Sequence, residues 1–103
     1  MKHILIVEDD TTFAVMLQTW LSKKKFSVAS VSGIAAAKKT LIESSVDLVL
    51  CDLRLPDGDG IDLLEWVSSR NINVPLIVMT SYAAIPSAVQ AMKLGARDYI
   101  SKP

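Results

Sequence analysis

The sequence predicts an α/β fold, a doubly wound parallel sheet with helices on both faces. Two observations carry this. Five short apolar runs recur along the 103 residues, with segments of helical period between them. The runs are apolar almost throughout rather than alternating, which suits strands covered on both sides.

The strands are expected in "HILIV" (His3–Val7), "FSVASV" (Phe26–Val31), "DLVLC" (Asp47–Cys51), "PLIVMT" (Pro75–Thr80) and "DYIS" (Asp98–Ser101). In the first intervening segment, Phe13, Met16, Leu17, Trp20 and Leu21 form one helical stripe, and Lys23–Lys25 close it at the negative end of the helix dipole. The second helix runs from Ile34 to Glu43, alanine-rich after Gly33. The third starts near Asp59 and carries Ile61, Leu64, Trp66 and Val67. The fourth, "AIPSAVQAMKLG" (Ala84–Gly95), ends on a glycine, a common helix stop. Ile85, Val89 and Met92 give it an apolar face that reads as core, and Ala84, Ala88, Ala91 and Leu94 give a second strip. One helix on a sheet edge cannot bury both, so part of the surface beside Tyr99 is expected to be exposed.

Composition narrows the function classes. Half of the residues are hydrophobic and 21% are charged, which supports a core and excludes disorder. Net charge is zero, so direct nucleic-acid contact by this domain is not expected. The lone Cys51 excludes an internal disulfide framework and suggests a reducing, cytoplasmic setting. The first apolar run, Ile4 to Val7, is too short for a signal peptide or a membrane span. Residues 1–103 read as one domain without linkers or repeats. The run of elements stops at Pro103, straight after the fifth strand, where a last covering helix is expected.

Candidate chemistry lies at the strand ends, where open α/β sheets build their sites. The first strand ends in Glu8, Asp9 and Asp10, the third in Asp52, the fourth in Thr80 and Ser81, and the fifth is followed by Lys102. Carboxylates converging on one spot oppose one another's ionisation and are usually held by a cation. Hard oxygen ligands of this kind suit Mg²⁺, which often accompanies a phosphate. A lysine and a hydroxyl opposite the metal would complete a cradle for phosphoryl oxygens. Plainer roles compete at several positions. Asp10 can cap the first helix, Asp57 and Asp59 in "PDGDG" read as turn and cap residues, Arg54 and Asp62 as surface charges, and His3 as structural. Asp52 has no such local explanation, because it ends the most apolar strand.

These residues resemble a known family. "ILIVEDD", "DLVLCDLRLPDGDGIDLL", "PLIVMTSY" and "GARDYISKP" are similar, in order and spacing, to the motifs of bacterial two-component response-regulator receiver domains. The resemblance implies strand order 2-1-3-4-5, the flavodoxin-like arrangement. It implies that Asp52 is the phosphoacceptor, served by a sensor histidine kinase. Asp9, the Asp52 carboxylate and the backbone carbonyl of Arg54 would bind Mg²⁺, with Glu8 reaching the metal through water. Thr80 would be the switch hydroxyl, Lys102 the phosphate-binding lysine and Tyr99 the aromatic that reorients. The Lys102–Pro103 bond would be the family's cis peptide.

Receivers normally continue into a fifth helix. The sequence is therefore expected to be a piece of a longer regulator, or to be covered by another chain, with a homodimer as one outcome. "YAAIPSAVQAMKLGARDYISKP" also looks like receivers of activators that work with the nitrogen-type sigma factor, which implies an ATPase and a DNA-binding output domain. Two other readings compete. A phosphatase of the haloacid dehalogenase type would want an aspartate where Arg54 stands. An interaction module that no longer takes phosphate would be expected to lack one of the acidic, threonine or lysine residues, all of which are present.

Overall fold

The computed structural model describes residues 1–81 and 85–102. The elements run β1 (His3–Val7), α1 (Thr11–Lys23), β2 (Ser27–Val31), α2 (Ile34–Glu43), β3 (Leu48–Asp52), β4 (Arg54–Leu55), β5 (Gly58–Asp59), α3 (Gly60–Ser69), β6 (Leu76–Thr80), α4 (Ile85–Lys93) and β7 (Asp98–Ser101). Five strands form one parallel sheet in the order β2-β1-β3-β6-β7, as expected. The expected strands hold to within one or two residues. The two-residue β4 and β5 form a small antiparallel hairpin that the sequence pattern does not announce, because "RLPDGDG" reads simply as turn.

The strand order decides where a site can form. The chain leaves β1 toward β2, then steps back over β1 to β3 and continues outward. Connections on either side of that reversal diverge to opposite faces, which leaves a crevice above the carboxyl ends of β1 and β3. On one face Leu5, Val7, Val49, Cys51 and Val78 pack against Ile34, Ala37 and Leu41 of α2, Leu63, Leu64 and Val67 of α3, and Ala88 and Ala91 of α4. On the other, Ile4, Ile6, Leu50 and Met79 pack with Leu21 and the half-buried Phe13 and Leu17 of α1. The core of the central strands is thus dry on both sides, which is why their sequences do not alternate.

Two helical stripes differ from expectation. On α1 the buried line is Ala14 and Leu21 with Phe13 and Leu17 beside it, whereas Met16 and Trp20 are more than half exposed. The helix lies along the β1–β2 edge, so its inward side is set by small Ala14, a weak signal in an apolar count. On α4 the strip of Ala88 and Ala91 is fully buried, while Val89 and Met92, and Leu94 just past its end, are exposed. Small side chains let this helix approach the sheet closely, and the larger ones face outward beside half-exposed Tyr99. The expectation that Ile85, Val89 and Met92 form the core face is corrected for Val89 and Met92. Ala84 and the Ile85 side chain lie outside the described residues, as do Tyr82 and the Lys102–Pro103 bond.

Local chemistry ends the helices. The Asp10 side chain accepts the Phe13 N–H at 3.1 Å and starts α1. Lys25 takes φ 75°, and its N–H and that of Phe26 close onto carbonyls of the last turn. Gly95, at φ 109°, stops α4.

Candidate functional site

The crevice collects the acidic strand ends. Glu8 follows β1 and is buried, Asp9 beside it is exposed, and Asp52 closes β3 and is buried. One carboxylate oxygen from each lies within 4.8 Å of the others. Lys102, one residue past β7, reaches into this group. Its Nζ stands 2.6 Å from Glu8 Oε1 and donates to Asp52 Oδ2 at 3.2 Å. The backbone brings it there: β7 pairs with β6 so that Thr80 faces Ser101, and the Lys102 N–H donates to the Thr80 carbonyl at 2.7 Å. Of the residues singled out in the sequence, Glu8, Asp9, Asp52 and Lys102 therefore meet.

Others do not join them. Thr80 is fully buried one step beyond Met79, the register partner of Asp52, and its Oγ1 donates to the Ser81 carbonyl at 2.9 Å. Tyr99 pairs in register with Val78 and is 39% exposed. The Arg54 side chain is exposed on the hairpin.

A sequence profile of the response regulator receiver domain matches residues 4–103. The chain belongs to this family. The receiver is 35% identical over 102 residues to the response regulator protein PilR of Pseudomonas aeruginosa, and 38% identical over 100 residues to the transcriptional regulatory protein ZraR of Escherichia coli. These alignments cover 99% and 97% of the receiver but 23% of each relative, so the chain spans about a quarter of their length. Among solved structures, the non-phosphorylated HemR receiver domain of Leptospira biflexa superposes with a TM-score of 0.90 at 34% identity, covering all of this chain and 83% of that one. Full-length FixJ of B. japonicum superposes at 0.94 and 34% identity, over 99% of this chain and 50% of that one.

The receiver's site carries an imbalance of charge. Three carboxylates face one ammonium, which leaves two negative charges without a partner in the group. Burial is the largest influence on Glu8 and raises its carboxyl above the usual range; the Asp52 charge adds to this, and Lys102 and the Asp10 N–H oppose it without cancelling it. For Lys102, burial pulls the other way, but contact with Glu8 and the charge of Asp52 outweigh it and hold the ammonium above the ordinary lysine range. Glu8 Oε1 is buried and, despite the nearby Nζ, receives no hydrogen bond of good alignment from the described residues. An oxygen in that state, in a group short of two positive charges, fits a divalent cation with oxygen preference.

Four residues of the receiver's site went unread in the sequence. The Phe13 ring lies 4.9 Å from Lys102 Nζ and faces its charge; the helical count placed Phe13 in the core stripe, which is also true. Asp57 caps α2 rather than its own turn: its carboxylate accepts the N–H groups of Ile34 at 2.7 Å and Ala35 at 3.0 Å. Those two bonds, Ala35's first, hold the Asp57 carboxyl below the usual range. Asp62 is not a free surface charge, since it accepts the Asp59 N–H at 3.0 Å and braces the start of α3. Gly60 packs so closely that a Cβ there would meet the Asp52 carbonyl oxygen at 2.5 Å. A glycine directly after a helix cap, where no positive φ calls for one, was the available signal for that approach.

Proposed function

We propose that this receiver is a phosphorylatable signalling switch in which Asp52 accepts a phosphoryl group from a phosphohistidine on a sensor histidine kinase. The observation that carries the reading is the placement of Lys102 against both Asp52 and Glu8, whose carboxylates share one group with exposed Asp9. The backbone of β3 and the close approach of Gly60 hold Asp52 at the crevice floor, so its carboxylate can meet a donor phosphorus in line. A bond forms from a carboxylate oxygen to phosphorus as the phosphorus–nitrogen bond breaks, and the donor imidazole keeps the electron pair and takes up a proton. Lys102, already charged, can stay with the transferred group and neutralise its oxygens.

Asp9, the Asp52 carboxylate and the Arg54 carbonyl would hold Mg²⁺, with Glu8 behind them. When bound, that ion would supply the missing positive charge and screen the phosphoryl oxygens. Thr80 must exchange its bond to the Ser81 carbonyl for one to the phosphoryl group, and Tyr99, on the neighbouring strand, would take the space it leaves. The switch is thus a local hydrogen-bond exchange that biases the β6–β7 edge between two packings.

In this reading residues 1–103 act as one cytoplasmic receiver domain. Its partners are the kinase and an output domain that controls transcription, an ATPase with a DNA-binding module, elsewhere in a longer regulator. The test is incubation with a small phosphodonor such as acetyl phosphate, with and without Mg²⁺, followed by intact mass. Uptake of one phosphoryl group only with Mg²⁺ supports the reading. No uptake under any condition would leave a receiver-like interaction module instead.

A further inference from the structure

The hairpin β4–β5 carries Arg54; Leu55 packs half-buried against the core, and hydrogen bonds at three places hold the loop. The Gly60 N–H donates to the Leu53 carbonyl at 2.9 Å and closes the base of the loop. Asp62 holds the Asp59 N–H. At the tip, Asp57 reaches across to a different helix and accepts the first two N–H groups of α2. The α2 cap position is Gly33, which has no side chain to cap with, so these donors depend on a residue more than twenty positions away. The glycine also makes the room: a Cβ at Gly33 would stand 2.8 Å from Asp57 Oδ1. Gly33 and Asp57 are therefore two halves of one joint.

We propose that Asp57 is a positioning residue for the metal site: by docking on the start of α2 it sets the loop that presents the Arg54 carbonyl. This rests on the function proposed above. A backbone carbonyl is an effective ligand only if its loop is held, and groups that hold a ligand are typically worth 10–100-fold in metal affinity. Asp62 ties the hairpin to α3, the element that directly follows it; among the described residues, the contact at the tip is the hydrogen bond that ties it to a helix distant in sequence.

The experiment is a Mg²⁺ titration by calorimetry on wild type, Asp57→Ala, Asp57→Asn, Gly33→Ala and the double variant Gly33→Ala/Asp57→Ala. Amide exchange at Ile34 and Ala35 is followed in parallel to report the joint itself. Asp57→Ala and Gly33→Ala are expected to weaken Mg²⁺ about tenfold. The double variant should be no worse than either alone, because both break the same joint. Asp57→Asn keeps one acceptor oxygen and should fall between, and it serves where the alanine variant does not fold. Unchanged Mg²⁺ affinity alongside lost protection at Ile34 and Ala35 would overturn the proposal, leaving Asp57 as a helix cap only. Additive losses in the double variant would also overturn it. A wild type that binds no Mg²⁺ would overturn the proposed function and this inference with it, and is recognised before any variant is compared.

Discussion

Replacing Lys102 by methionine keeps an unbranched side chain one atom shorter and removes its charge. The Glu8 side chain is fully buried and that of Asp52 nearly so, and both lose their ammonium partner. Removing one member of a fully buried ion pair costs ~3–5 kcal/mol. The Lys102 side chain is 17% exposed and the crevice opens at Asp9, so ~2–3 kcal/mol is expected here. For a domain of this size each kcal/mol moves Tm by roughly 4–8 °C, which gives a drop of about 10–20 °C. The loss should depend on pH. In the wild type Glu8 is raised above 4.5, so the native state binds its proton where the unfolded chain has lost it, and this group's contribution falls as pH rises through that window. Without Lys102 the carboxyl rises further, and a protonated Glu8 needs no partner. The variant should therefore lose less near pH 5 than near pH 7. Saturating Mg²⁺ should stabilise the variant more than the wild type, because the ion meets one more uncompensated charge. Urea denaturation in EDTA and in Mg²⁺ at both pH values measures all of this, with Lys39→Met as an exposed-lysine control. A Lys102→Met protein as stable as wild type in EDTA near pH 7, or one that Mg²⁺ stabilises no more than wild type, would refute the charge-balance argument.

Three further outcomes are expected. Asp9→Ala should weaken Mg²⁺ more than Asp57→Ala does, since it removes a carboxylate from the cluster itself; calorimetry that ranks them the other way would remove Asp9 from the ligand set. Gly60→Ala should destabilise by ~1–3 kcal/mol, because the new methyl group meets the Asp52 carbonyl and backbone cannot yield as a side chain can; thermal melts check this, and a neutral result would mean that the close approach is not rigid. Burial, with the charges of Asp52 and Glu8, pushes the Cys51 thiol far up, so thiol reagents should label it only on unfolding; rapid labelling of the native protein would contradict the buried placement.

Much of this was legible in the sequence, for physical reasons that also mark its limits. Strands buried on both faces must be apolar throughout, so β1, β3 and β6 stood out, and Asp52 stood out against β3. The meeting of Glu8, Asp9, Asp52 and Lys102 followed once those strand ends were placed side by side. The inward face of α1 was misread because Ala14, not a large residue, sits against the sheet, while Met16 and Trp20 satisfy the period but face out. On α4 the same rule failed in the same way at Ala88 and Ala91. The Asp57–Gly33 joint was invisible because it links two loops across a large sequence separation and leaves no periodic trace. The Phe13 contact with Lys102 spans nearly the whole chain and leaves none either.

The central claim is that Asp52 is the nucleophile. It is tested most directly by treating wild type and Asp52→Asn with acetyl phosphate and Mg²⁺ and locating the phosphoryl group by peptide mass mapping. The account predicts one phosphoryl group on the peptide containing Asp52 in the wild type, and none anywhere in the folded variant. A phosphoryl group on another residue of the wild type, or undiminished uptake by Asp52→Asn, would contradict it.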